Sequence, residues 1–208
     1  MPSLTLSQLT AQNLLDGVFR QELPEYYRLV NFVENNPWHK QQDVFTHSVK
    51  VMQGLEKVLE FDFLSSKQRQ LAQAYCLSHV DNHTSRADRL RAMVLLHDIS
   101  KSLVFTKLPD GTTQCPGHEF LSAALVSDFA QRLAMSRKLE SQVRGMVVLH
   151  GAISEVLNLE LSHQRSGQFI SLFERLTPDT TIDLMLFIYA DILGSDLETA
   201  MPAAFADR

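Results

Sequence analysis

The sequence predicts an all-α domain with one small β-hairpin excursion. Two observations carry that expectation. Apolar residues recur at three- and four-residue steps through most of the chain, which is the period of a helix with one buried face. One Pro-Asp-Gly turn, at residues 109–111, stands between short alternating flanks, which is a hairpin signature. With 208 residues, 45% of them hydrophobic and 21% charged, the chain can bury a sizeable core. No repeat, low-complexity tract or linker divides it. We therefore expect one domain over 1–208, with residues 1–34 packing on its core or extending it.

In chain order, residues 5–17 and 24–34 read as two short helices, broken near Pro24. "NNPWHKQQ" (35–42) reads as a loop. Asp43 can cap a helix over 44–60, "VFTHSVKVMQGLEKVLE". Residues 66–78 form a further helix, and the polar "HVDNHTS" that follows reads as a loop. "RADRLRAMVLLHD" opens a helix from 86 to about 99. After the hairpin in "VFTKLPDGTTQC" come helices at 118–133, 137–150, 168–176 and 180–193. Gly151 and Gly194 stand where helix-ending glycines belong.

The net charge of −5 argues against general nucleic-acid or membrane-surface binding, both of which need basic surface. Cys76 and Cys115 are far apart and outside any CxxC spacing, so neither a disulfide framework nor a zinc ribbon is indicated. The first 20 residues lack the basic and apolar regions of a secretory signal, and no stretch approaches a membrane span. A cytoplasmic location is the expectation.

Histidines interrupt this ordinary pattern. His47 lies in line with Val44, Val51, Leu55 and Val58. Leu90, Met93 and Val94 lead to His97. His118 begins a stripe continued by Leu121, Leu125 and Phe129. Leu139, Val143, Met146 and Val147 lead to His150, and Leu184, Phe187 and Ile188 lead to Asp191. One histidine on an apolar face is usually a hydrogen-bonded core residue. Five helices that each aim a metal-ligating residue inward, with Asp98 beside His97, are a different matter, because buried charges need partners or a metal. Asp98 and Asp191 also fall in the last turns of their helices, where the macrodipole disfavours an anion and a nearby cation removes the conflict. His39, His79, His83 and His163 sit among polar residues and read as solvated.

Four imidazoles and two carboxylates exceed what one small ion needs. They suit two divalent transition metals sharing a carboxylate bridge, and the nitrogen-rich set favours Fe, Mn, Ni or Co over Mg or Ca. The conservative version is one ion on His47, His97, Asp98 and Asp191, with His118 and His150 binding substrate.

The order His47, His97-Asp98, Asp191 resembles the HD-domain superfamily of metal-dependent phosphohydrolases. "LLHDISK" is similar to that family's HD-x-G-K segment, with Ser100 in the glycine place. His118 and His150 match the two extra histidines of its binuclear members. The resemblance covers roughly residues 35–196 and implies an HD-type helical bundle. The stretch "VFTKLPDGTTQCPGHEFLSAALVSDFAQRL" and "YADILGSD" are similar to the HD domain of bacterial CCA-adding tRNA nucleotidyltransferases, but these residues include no Gly-Ser turn followed by a D-x-D pair in strand context, so the expectation is a stand-alone HD hydrolase without the nucleotidyltransferase head or nucleotide-adding activity.

The resemblance implies hydrolysis of a small phosphoester, of a nucleotide or similar molecule, by metal-activated water. Asp98 would bridge the metals, and Lys101 would bind the phosphate. A solvated helix-end lysine is the alternative reading of Lys101. Two other functions fit the same ligands: an HD-fold mixed-valence di-iron oxygenase, and a non-catalytic nucleotide-binding module stapled by metal. Among lesser candidates, Arg144 reads as helix surface, Thr46 and Ser48 as helix surface or neighbour contacts, Glu119 as a residue favouring a helix start, Cys115 as a free hydrophobic thiol, and Trp38 as packing, with a base-stacking wall as its alternative. The apolar N-terminal helices could cover the core or pair with a second copy as a homodimer.

Overall fold

The computed structural model describes residues 4–157 and 163–196. Its helices are α1 (Ala11–Leu15), α2 (Pro24–Arg28), α3 (Val44–Val58), α4 (Ser66–Leu77), α5 (Arg86–Leu96), α6 (Lys101–Val104), α7 (His118–Ala130), α8 (Arg137–Leu157), α9 (His163–Leu176) and α10 (Thr181–Gly194). Two antiparallel hairpins complete it: β1 (Val33–Asn35) with β2 (Lys40–Asp43), and β3 (Thr106–Lys107) with β4 (Thr113–Gln114). The all-α expectation holds, and so does the hairpin around Pro109. No described helix is long and apolar enough to cross a membrane.

The pairing of α3 with α10 anchors the site. Asp43 caps α3 by accepting from Thr46 N at 2.8 Å, which fixes where the helix starts. Val44, Val51, Leu55 and Val58 form its buried stripe, as the periodicity requires. Two glycines then let the helices touch backbone to backbone. A Cβ on Gly54 would lie 2.7 Å from Ala190 O, and one on Gly194 would lie 2.6 Å from Val51 Cγ2. Gly194 is thus the last residue of α10 for reasons of packing. It has no positive φ, so its role is not the left-handed helix stop that was expected.

Several boundaries differ from the sequence reading. The first helix is a 3₁₀ turn at Leu6–Gln8 followed by α1, because Thr10 restarts the helix by accepting from Asn13 N. Residues 24–34 split into α2, a 3₁₀ turn at Leu29–Asn31 and the start of β1. The expected loop at 35–42 contains the β1–β2 turn and most of β2. It is tied to the second hairpin by Asn35 N donating to Thr113 Oγ1 at 2.7 Å and Asn35 Nδ2 donating to Gly111 O at 3.1 Å. Helix α8 runs through Gly151 to Leu157, and α9 begins at His163 rather than 168.

On α7 the buried face is Ser122, Ala123, Val126, Phe129 and Ala130, while Leu121 is 40% exposed. The predicted stripe is therefore rotated: Phe129 is buried and Leu125 packs partly buried against the core, but Leu121 faces outward and the small Ser122 and Ala123 take its place. The N-terminal segment contributes Leu9, Leu14, Leu23 and Leu29 to the same apolar cluster as α3 and α5. Beneath α5 an ion pair is fully buried, with Arg89 Nη2 2.7 Å from Asp183 Oδ2.

Candidate metal centre

His47, His97, Asp98, His118, His150 and Asp191 converge from α3, the end of α5, α7, α8 and α10. They meet at a cavity of about 220 Å³. Asp98 is the centre. Its Oδ2 lies 3.6 Å from His47 Nε2 and 3.2 Å from His97 Nε2, and its Oδ1 lies 3.2 Å from His118 Nε2 and 3.9 Å from His150 Nε2. Asp191 Oδ1 is 3.1 Å from His47 Nε2. The ligand-type atoms fall into two triads, His47–His97–Asp98 and Asp98–His118–His150. Within each, the atoms lie within 4.8 Å of one another. The two sets share Asp98 alone.

Backbone carbonyls orient all four imidazoles. His97 Nδ1 pairs with Val94 O at 2.8 Å, His118 Nδ1 with Cys115 O at 2.8 Å and His150 Nδ1 with Val147 O at 2.6 Å. His47 Nδ1 pairs with Gly194 O at 3.3 Å across the α3–α10 contact. A carbonyl can only accept, so each Nδ1 carries the proton and each Nε2 faces Asp98 with a free lone pair when the ring is neutral. That is the tautomer a metal ligand requires.

The electrostatics match. Burial opposes the charge on Asp98, but His97 and Lys101 outweigh it and hold the carboxyl well below its usual range. Burial also opposes charging of His97 and His118, yet Asp98 outweighs it and holds both above the ordinary imidazole value. Burial, aided by His97, pushes His150 down to about 4. Burial resists ionisation of Asp191 too, but the hydrogen bond from His47 wins and its pKa falls. The point between these groups is therefore negative and attracts positive charge. His97 Nε2 and Asp98 Oδ2 are buried without a hydrogen bond of acceptable geometry. Buried polar atoms of this kind are costly. Their chemistry, imidazole nitrogen and carboxylate oxygen aimed at one point, fits divalent transition-metal ions.

Lys101 is buried. Its Nζ lies 2.9 Å from Asp98 Oδ2 and 2.8 Å from Glu34 Oε2. Burial works against the ammonium, but Asp98 and Glu34 overcome it and raise the pKa. The solvated-lysine alternative is excluded. Ser100, in the glycine place, has φ −93°, which needs no glycine, and its hydroxyl donates to His118 O at 2.9 Å. It thus ties the end of α5 to the start of α7.

Two sequence readings need correction here, those of His39 and Glu119. His39 is buried rather than solvated, with Nδ1 3.0 Å from Gln42 Oε1 and its ring 4.4 Å from that of His47. Burial, then His47 and Lys101, push its pKa down to about 4. Of the two readings of Ser48 the neighbour contact holds, since it is buried and donates to Val44 O. Glu119 lines the cavity, beyond the helix-start role expected of it, and Trp38 lines it as well, the wall position of its alternative reading. Glu34 was not singled out at all, although it is buried beside Lys101. Its only sequence signal was a lone acid in an otherwise neutral segment. Cys115 is free, as expected, and burial pushes its thiol up to about 12. His79 and His83 are exposed. The side chain of His163 lies outside the described residues.

A helical bundle that gathers histidines and aspartates from five helices around one shared carboxylate defines a class of metal-site proteins. The HD domain family matches residues 44–193, and the chain belongs to that family. HD-domain proteins are generally metal-dependent hydrolases, so the cluster points to metal-dependent phosphohydrolase activity at the level of the superfamily. Comparison with curated proteins returns no match.

Proposed function

We propose that the protein hydrolyses a phosphoester of a small molecule, a nucleotide or a compound of similar size, at a two-metal centre. The observation that carries this reading is the pair of triads joined through Asp98. His47, His97, Asp98 and Asp191 would hold one ion, and Asp98, His118 and His150 the other. Bound divalent ions would supply Lewis acidity and bring the pKa of a water towards ~7.

The chain's own residues do the rest. The four carbonyls that take the Nδ1 protons keep every Nε2 lone pair turned inward. Asp98 presents one oxygen to each triad. Lys101, held between Asp98 and Glu34, offers an ammonium to the phosphoryl oxygens and stabilises the charge that builds there. His39, kept neutral at physiological pH, adds hydrogen-bonding capacity without adding charge. The hairpin before the GHE segment at 117–119 supports a relationship to the HD domain of CCA-adding enzymes.

Elemental analysis of gently purified protein, followed by a phosphoester panel with the metal found, tests the proposal. Hydrolysis that persists without oxygen is the expected result. Turnover that needs oxygen would assign the centre to an oxygenase. A folded, metal-loaded protein inert under both conditions would leave a metal-stapled binding module.

A further inference from the structure

We infer that the cavity selects an ester bearing a single phosphoryl group on a hydroxylated organic part and rejects substrates with a second phosphate, with Glu119 as the specificity-determining residue. This deepens the hydrolase reading and rests on it. The first support is the charge of the lining. Among the described residues Lys101 is the only lysine or arginine that faces the cavity, against the carboxylates of Glu34, Asp98, Glu119 and Asp191. Two divalent ions with Lys101 would bring five positive charges against those four negative ones. One phosphoryl dianion already carries the balance past neutrality. A second phosphate would find no cation among these side chains and would lie against carboxylate.

Glu119 is built into that position. Its carboxylate occupies the space that a side chain at 151 would take: a Cβ on Gly151 would lie 2.6 Å from Glu119 Oε1. Gly151 is inside α8, where glycine is a poorer helix former than alanine, so its presence there fits a need for this close approach. The one ion-pair neighbour of Glu119 is His118 Nδ1 at 3.5 Å, and that nitrogen is already committed to Cys115 O at 2.8 Å. No described lysine or arginine pairs with Glu119, whereas Glu34 shares its charge with Lys101 at 2.8 Å. A carboxylate with spare lone pairs at the wall of a phosphoester cavity accepts hydrogen bonds from substrate hydroxyls and repels phosphate. The size agrees, since about 220 Å³ is smaller than the sites that hold drug-sized ligands.

The test measures binding, apart from turnover. Manganese-loaded protein is titrated calorimetrically with the non-hydrolysable phosphonate analogues of a hexose 6-phosphate and of the hexose 1,6-bisphosphate. The monophosphonate is expected to bind at least roughly tenfold more tightly, from the repulsion of like charges a few ångströms apart at a protein surface. Glu119→Gln, nearly isosteric, should narrow that gap roughly tenfold by improving bisphosphonate binding. Glu119→Asp, which keeps the charge, should preserve most of it and serves if the glutamine variant fails to fold. Equal or tighter bisphosphonate binding to the wild type overturns the inference, and an unchanged gap in Glu119→Gln overturns the role of Glu119. Turnover of the parent phosphates is scored separately. Its complete absence would count against hydrolysis, while the binding preference still decides selectivity.

Discussion

Gly194→Ala probes the contact that brings α3 and α10 together. The added Cβ would lie 2.6 Å from Val51 Cγ2 and 2.7 Å from Val51 N. Ordinary contact begins near 3.4 Å, so the helices must separate locally by about 0.8 Å. The valine methyl can rotate, but the backbone nitrogen cannot. Overpacking of this kind costs about 1–3 kcal/mol. For a chain of this size each kcal/mol lowers Tm by roughly 2–4 °C. The same movement stretches the 3.3 Å contact between His47 Nδ1 and Gly194 O beyond hydrogen-bonding distance. Losing the partner that orients a metal-binding histidine typically costs ~10–100-fold in metal affinity. Thermal melts of the metal-free protein and metal titration of the same samples read the two effects. Gly145→Ala is the control: it lies within helix α8, and its Cβ would meet nothing within 4 Å. It should be neutral or stabilise by about 0.4–1 kcal/mol. If Gly194→Ala matches the wild type in both Tm and metal affinity, the close approach does not position His47.

Asp98→Asn should remove the shared ligand of both triads, so bound metal falls by one ion or more per chain and phosphoester turnover drops at least ~100-fold, while the metal-free protein is also destabilised at neutral pH, because the buried Lys101 ammonium keeps only Glu34 as its counter-charge. Elemental analysis with parallel urea unfolding separates these outcomes. The pH dependence of stability should change sign with metal. In the metal-free protein His97 and His118 have raised pKa values, so their contribution is fully present below about 6.5 and is lost as pH rises through the raised values. Below about 6.5 the neutral His39 and His150 make stability rise with pH in either form, because the unfolded chain binds protons there that the folded chain does not. In the metal-loaded protein the ligand rings must be deprotonated, so stability goes on rising above that value, and opposite slopes in paired melts between about pH 6.5 and 8 are the expected result. Asp183→Ala strands the buried Arg89 guanidinium and also removes the acceptor of Tyr75 Oη at 2.5 Å, which should cost about 3–5 kcal/mol in chemical unfolding without altering metal stoichiometry in the folded fraction.

The six ligand-type residues were legible because each lies on a helix whose apolar stripe fixes its direction. His47 sits one turn from Val51, and Asp191 one turn from Ile188, so burial of the stripe carries them inward. His39 and Glu34 were not legible for the opposite reason. They lie on β1–β2, where "KQQD" offers no apolar alternation and the bend includes Gln41 at φ 55°. That hairpin is held by polar contacts to residues 111 and 113, nearly 80 positions away, which no local pattern reports. Helix α7 misled because it is apolar nearly all round, so its periodicity alone does not say which side is buried. Gly151 misled because a glycine near a helix end was read as a conformational signal, when the neighbour that needs the space is Glu119 on another helix.

Lys101 shows why the hairpin matters to the chemistry. The family match starts at residue 44, and Glu34 precedes it. An ammonium 2.9 Å from Asp98 Oδ2, alone in a buried site, would pair fully with that carboxylate and compete with any cation for the same oxygen. Glu34 Oε2, at 2.8 Å on the other side, divides the pull on Nζ between two carboxylates. Asp98 then keeps more of its charge, and the ammonium keeps its place beside the cavity. The partial neutralisation is also what allows three buried charges to share one pocket, since each removed from water unpaired would cost several kcal/mol. A segment outside the family core thus sets the charge of the carboxylate at the centre of that core.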